Sequence, residues 1–321
     1  MSTRQLGIIG GSPDPSLPGM SFTSAQRSAV CRILTLSYRD SPGPARFDHP
    51  TRAALDGTGV LIHPRVVLTA GHVTGTSIDT WETAVLFGTG GFRIPFSPPE
   101  TPEIHIHRIT NGVCLGTGRA GPVAEAREIL DFAHDDLSLL LLSEDAPAWV
   151  SPIGLRSAPS VGDLVQVAGY GPTRSELLGS ESAPLGWSIV TVSHVPSSGC
   201  SFLTRDLGAE IGGRQTRGDS GGPAFAPKSG GIPGVCGIIS TVSDVVVPGR
   251  FQSVYTRTDH WLSWITRTMS GWGLSFEPAS LPGSDATGDR RDREPPTSAV
   301  PYVVGGIAVA AGLVWLLTRG R

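Results

Sequence analysis

The sequence predicts an all-β domain closed by a helix and followed by a polar spacer and an apolar tail. Three observations carry this. Between Ser21 and Trp272, runs of four to eight Val, Ile and Leu residues alternate with Gly, Pro, Asn, Asp and Ser, the punctuation of many short strands. The 42 glycines and 27 prolines, about a fifth of the 321 residues, supply turns without making the chain low in complexity. Near the end of this region Trp261, Leu262, Trp264 and Ile265 fall at helical spacing.

The strands expected are 30–37, 59–62, 66–69, 103–109, 137–142, 164–168, 189–195 and 235–241. The helix is expected over 258–269, with Thr258 or Asp259 as its N-cap. No repeat of fixed period points to a solenoid or propeller. A hydrophobic content of 39% in a chain of this length is enough for a substantial core. With 25 basic and 28 acidic residues the net charge is −3, so nothing electrostatic favours nucleic acid as a partner. Four cysteines, which allow three pairings, are too few to be the main staple of the fold.

The two ends differ. Residues 1–7 contain no apolar run of export-signal length. Residues 300–317 are eighteen positions without a charge, followed by Thr318-Arg319-Gly320-Arg321. As a helix they reach about 27 Å, close to the hydrocarbon thickness of a bilayer. They are apolar all round and rich in small residues, so a membrane-spanning helix is expected there rather than a buried core helix. Arg319 and Arg321 then make 318–321 a cytoplasmic end and leave the large domain outside the membrane's inner face. The preceding stretch, 273–299, carries Asp289-Arg290-Arg291-Asp292-Arg293-Glu294 and Pro295-Pro296; it reads as a flexible tether because it cannot bury enough apolar surface to fold.

Chemistry concentrates in three stretches: Leu68-Thr69-Ala70-Gly71-His72-Val73, Asp135-Asp136-Leu137-Ser138-Leu139-Leu140, and Arg217-Gly218-Asp219-Ser220-Gly221-Gly222-Pro223. A serine hydroxyl is a weak nucleophile at neutral pH and needs an imidazole to accept its proton; Ser220 and His72 offer that pair. The imidazole needs a carboxylate on its other nitrogen, and Asp136, entering an apolar strand, can be buried to serve. Glycines beside the serine let the N–H groups of Gly218 and Ser220 converge where negative charge develops.

In this order these stretches resemble the three signature motifs of the trypsin/chymotrypsin-like serine proteases. Further similarity lies in Gly57-Thr58-Gly59-Val60-Leu61-Ile62, Gly169-Tyr170-Gly171, Gly237-Ile238-Ile239-Ser240, and Val254-Tyr255-Thr256-Arg257 with the helix after it. The resemblance covers about residues 20–270 and implies two packed six-stranded antiparallel β-barrels of the chymotrypsin type. It implies a serine endopeptidase acting on protein or peptide substrates through an acyl-enzyme, with no cofactor or metal. His72, Asp136 and Ser220 become the triad, Asp136 rather than Asp135 standing directly before Leu-x-Leu, and the amides of Gly218 and Ser220 the oxyanion hole. The competing expectation is a protease-like binding module with a locked cleft.

The resemblance also implies that Asp219 pairs with a newly freed N-terminal amine. Ile8-Ile9-Gly10-Gly11 fits that start; residues 1–7 are then a propeptide removed by an activating protease, and 8–272 the protease domain. Primary specificity falls to Arg214, six before the serine, with Ser240, Val242 and Ser253 lining the substrate site. Arg214 either receives an acidic side chain or turns away, toward Asp244, leaving a small apolar pocket. The family's cysteine beside the histidine is absent, Val73 and Gly57 taking the two positions of that bridge. Cys200 is expected to pair with Cys236, the alternative being buried thiols. His105 and His107 share a strand face but lack a third metal ligand, so they are expected on a solvated face.

Overall fold

The computed structural model describes residues 21–37, 52–75, 77–80, 82–88, 92–93, 105–117, 135–171, 181–182, 185–196, 199–206, 215, 218–228, 231–247 and 250–276. The elements in chain order are α1 (Ser24–Ala29), β1 (Val30–Ser37), β2 (Arg52–His63), β3 (Val66–Thr69), α2 (Gly71–Thr74), β4 (Thr83–Phe87), β5 (Phe92–Arg93), β6 (His105–Gly116), β7 (Leu137–Leu142), β8 (Leu164–Gly169), β9 (Glu181–Ser182), β10 (Gly186–His194), β11 (Ser201–Asp206), β12 (Pro223–Lys228), β13 (Gly231–Val247), β14 (Arg250–Arg257) and α3 (Leu262–Gly271).

Twelve strands close into two antiparallel barrels, in the order β1-β2-β3-β7-β6-β4 and β10-β11-β14-β13-β12-β8; β5 and β9 pair apart from them. Closure pairs the edges that short strands would otherwise leave open. The continuous apolar runs account for the inner strands. All four residues of β3 are buried, flanked by β2 and β7 with Leu68 opposite both Val60 and Leu139. The second barrel is filled by Val165, Val167, Val190, Val192 and the stacked rings of Phe202 and Tyr255, 4.8 Å apart. A larger core contains Ile33, Leu61 and Phe87 from the first barrel, Tyr170, Trp187 and Phe225, and Ile265 and Met269 of α3. Each such side chain, fully buried, contributes about 1.5–3 kcal/mol.

The N-terminal segment joins the barrels. In α1 a capping box forms, Thr23 Oγ1 accepting the Gln26 N–H while the Gln26 side chain accepts the Thr23 N–H. Gln26 Nε2 then donates to Gln166 Oε1 on β8 at 3.0 Å. Phe22 lies 4.3 Å from Trp187 of β10, and the Arg27 guanidinium stands 5.3 Å from the Trp187 ring. The chain passes directly from this attachment on the second barrel into β1 of the first.

Three expectations are corrected. The closing helix starts at Leu262 with Trp261 as N-cap, not at 258; the Asp259 carboxylate instead holds Arg257, the His260 N–H and the Ala158 N–H, which keeps 258–261 in a turn. The Cys200–Cys236 bridge does not form, and the four cysteines are thiols. Strand β14 lies between β11 and β13, with the Arg257 N–H donating to the Cys200 carbonyl and the Thr258 N–H to that of Cys236. Two strand spacings are roughly 9–10 Å, beyond disulfide reach. Burial raises the thiol pKa of Cys31 and of Cys236. Third, His107 is buried rather than solvated, edge-on to Phe87 at 5.4 Å, because β6 pairs with β4 to place it opposite Val85. Residues 24–29, within the stretch expected to be β-rich, form a short helix, α1.

The chain divides into two units, Met1–Leu281 and Pro282–Arg321. The expected propeptide, most of the tether and the apolar tail 300–317 lie outside the described residues. Among the described residues no helix is long and apolar enough to cross a membrane.

Candidate active site

Strand β3 ends at Thr69, Ala70 caps the single turn α2, and His72 sits on that turn. Only glycine serves at position 71, because a Cβ there would stand 1.8 Å from the Gly116 carbonyl oxygen at the end of β6. Asp136, one residue before β7 and 1% exposed, meets the turn twice. Its Oδ1 accepts the His72 N–H at 2.8 Å, and its Oδ2 lies 2.7 Å from His72 Nδ1. A third bond comes from the other barrel, the Ser240 hydroxyl on β13 donating to Oδ2. Burial alone would raise the Asp136 pKa, but the bonds and charge of His72 and the bond from Ser240 outweigh it and hold the carboxyl below its ordinary value. An ionised acceptor at Nδ1 fixes the proton there and leaves the Nε2 lone pair available. Behind the pair, the hydroxyls of Thr74 and Ser138 are hydrogen-bonded at 2.7 Å. Asp135 turns elsewhere, its carboxylate lying against Gly116.

The serine turn is held by main-chain bonds. Gly218 and Gly221 have φ of +95° and +83°, backbone that favours glycine. The Gly222 N–H donates to the Asp219 carbonyl at 2.8 Å, and the Gly221 N–H to the Ile239 carbonyl at 2.7 Å. Asp219 is buried, with Oδ1 accepting the Gly171 N–H at 2.8 Å. The turn abuts the histidine: a Cβ on Gly57 would stand 2.7 Å from the Ser220 carbonyl oxygen and 2.6 Å from Cγ2 of Val73, the residue after His72. A Cβ on Gly221 would stand 2.2 Å from Thr69 Oγ1 and 3.0 Å from the Ala70 nitrogen. Among the described residues Ser220 Oγ makes no hydrogen bond to the imidazole, an arrangement common before substrate binds. The His72 side chain is 37% exposed, so its ring is reachable from solvent.

The remaining expected residues divide. Ser240 and Ser253 are buried and engaged, the latter donating its hydroxyl to Gln215 Oε1. Val242 stands opposite Ser253 in the β13–β14 register. Ile8 and Arg214 lie outside the described residues. Sequence reasoning missed Gln215, the Thr74–Ser138 pair, and the bond by which Ser240 reaches Asp136; no local pattern signals a contact between residues 104 positions apart. Among the described residues no group of three His, Cys, Asp or Glu side chains is placed to hold a metal ion.

The trypsin family signature matches residues 44–265. The chain belongs to the trypsin family. It is 27% identical over 252 residues to snake venom serine protease KN14 of Trimeresurus stejnegeri, a match covering 75% of this chain and 83% of that protein. It is 26% identical over 228 residues to inactive snake venom serine proteinase 13 of Crotalus adamanteus, covering 67% and 77%. The two closed barrels are those expected of a trypsin-family serine protease domain, and the family implies protein or peptide substrates. In this trypsin-family domain the first barrel contributes His72 and Asp136, and the second contributes Ser220 and Ser240.

Proposed function

We propose that this domain is a serine endopeptidase with Ser220 as nucleophile, His72 as general base and then acid, and Asp136 as the carboxylate that orients the imidazole. The observation that carries the reading is the buried carboxylate bound to both the main chain and the ring of His72, next to the turn bearing Ser220. His72 Nε2 takes the hydroxyl proton as Ser220 Oγ attacks the scissile carbonyl. The N–H groups of Gly218 and Ser220 receive the oxyanion, such donors being worth roughly 3–4 kcal/mol each. The protonated ring passes its proton to the leaving amine, and water hydrolyses the acyl-enzyme by the reverse sequence. Ser220→Ala is expected to lower kcat on casein by about 10⁴-fold or more while the fold is kept. A fluorophosphonate should label the parent chain at Ser220 alone; unchanged proteolysis by the alanine variant would rule out this nucleophile.

Three finer parts belong to the same proposal. Removal of residues 1–7 frees the Ile8 amine to pair with Asp219, and N-terminal sequencing of active material tests this. Arg214 selects an acidic side chain, or turns aside and leaves a smaller pocket between Val242 and Ser253; a peptide-library profile dominated by Lys or Arg would refute both. Residues 300–317 anchor the domain through the tether with the protease outside, so their deletion should release the protein from membrane fractions. A second reading, a protease-like module without turnover, is favoured by the relative whose name calls it inactive. Absence of fluorophosphonate labelling would favour it.

A further inference from the structure

We propose that Thr58 is a positioning residue that holds the oxyanion-binding turn in its working conformation, a role that rests on the serine-peptidase reading above. Thr58 lies on β2 of the first barrel, fully buried. It grips the serine turn of the second barrel at two points: its N–H donates to the Ser220 carbonyl at 2.8 Å, and its hydroxyl donates to the Gly218 carbonyl at 2.9 Å.

The hydroxyl's direction follows from its other partner. Thr58 Oγ1 accepts the Tyr170 N–H at 3.0 Å, so its single proton is committed to Gly218. The Thr58 carbonyl in turn accepts the Thr69 hydroxyl at 2.7 Å, three residues before His72. One side chain and one peptide thus tie the Tyr170 turn, the serine turn and the end of the histidine strand together.

Three successive peptide planes are fixed as a result. The 218–219 plane is held by the Thr58 hydroxyl and the 219–220 plane by the Gly222 N–H on the Asp219 carbonyl. The 220–221 plane is held by the Thr58 N–H on one side and by the Gly221 N–H on the Ile239 carbonyl on the other. Because N–H and C=O of a trans peptide point in opposite directions, anchoring the Asp219 carbonyl turns the Ser220 N–H away from it, toward the Ser220 side of the turn. The Gly218 N–H lies outside these three planes, joined to the first of them through the Gly218 Cα at φ +95°, so pinning the Gly218 carbonyl fixes the anchor from which that donor extends. Val73 and Gly57 are in contact beside this point but supply only packing, which has no direction. The directional hold is the Thr58 hydroxyl.

The test is Thr58→Val, which keeps shape and main-chain N–H but loses the hydroxyl, compared with Thr58→Ser, which retains it. Thr58→Val is expected to lower kcat by about 10–100-fold with KM within about threefold, less than the loss of a whole oxyanion donor. The affinity for a peptide boronate that mimics the tetrahedral state should fall in parallel, while thermal unfolding reports on the fold separately. Thr58→Ser should restore kcat to within about threefold. If Thr58→Val does not fold, the Ala and Ser variants carry the comparison: Ala impaired and Ser active supports the role, and Ser impaired as much as Ala overturns it. A valine variant that folds and keeps wild-type kcat and boronate affinity also overturns it. Failure of the serine-peptidase reading shows differently, as a parent chain that neither hydrolyses casein nor reacts with fluorophosphonate.

Discussion

The two barrels hold their parts of the site by different means. On the first, His72 is fixed through side chains: the Asp136 carboxylate takes both its N–H and its ring, and Ser240 steadies that carboxylate. On the second, Ser220 rides on a turn held mainly by main-chain bonds, with the Thr58 hydroxyl and the Asp219 carboxylate added, around two glycines at positive φ. Side-chain chemistry is therefore the weak point of one half and backbone shape of the other. The same substitution strategy should give opposite phenotypes in the two.

The largest effect expected is from Asp136→Asn. The amide donates to Nδ1 where the carboxylate accepts, which stabilises the wrong imidazole tautomer, so kcat should fall about 10⁴-fold with the fold retained; steady-state kinetics beside a melting curve will show it. Gly221→Ala should do the reverse. A Cβ there would stand 2.1 Å from the Thr58 carbonyl oxygen at φ +83°, so stability should drop by roughly 3 kcal/mol or more before any catalytic defect can be assigned. Ser240→Ala sharpens the contrast through pH. A carboxyl held below its ordinary value stabilises the fold fully above the unfolded carboxyl value and loses that contribution as pH falls through its own lowered value. Removing a bond that holds it down raises the Asp136 pKa, so the acid limb of stability should move to higher pH, with about a tenfold loss of activity at neutral pH. Thr23→Ala removes a cap distant from both halves and should cost about 1 kcal/mol, a few degrees in Tm, with kcat unchanged.

What the sequence disclosed depended on whether the signal was local. Residues 66–69 and 137–142 were legible to the residue as β3 and β7, since both are unbroken apolar runs of strand length. By contrast β11 contains only Phe202 and Leu203 among polar neighbours, too short a run for periodicity, and its strand character comes from pairing with β10 and β14. Helix α1 carries no apolar period over its six residues, and only Thr23-x-x-Gln26 marks its start. The motifs around His72, Asp136 and Ser220 could be located as chemistry but not as distances. The Ser240 bond, the grip of Thr58 and the burial of His107 are properties of strand order, and strand order is not written in any window of the chain.

The thiol state of the four cysteines has a practical corollary. No covalent cross-link ties the barrels, and the seam rests on Gln26, Phe22, Thr58 and Ser240, none of which responds to redox potential. Assembly therefore asks nothing of an oxidase or isomerase, and the domain should refold as readily with dithiothreitol as without it.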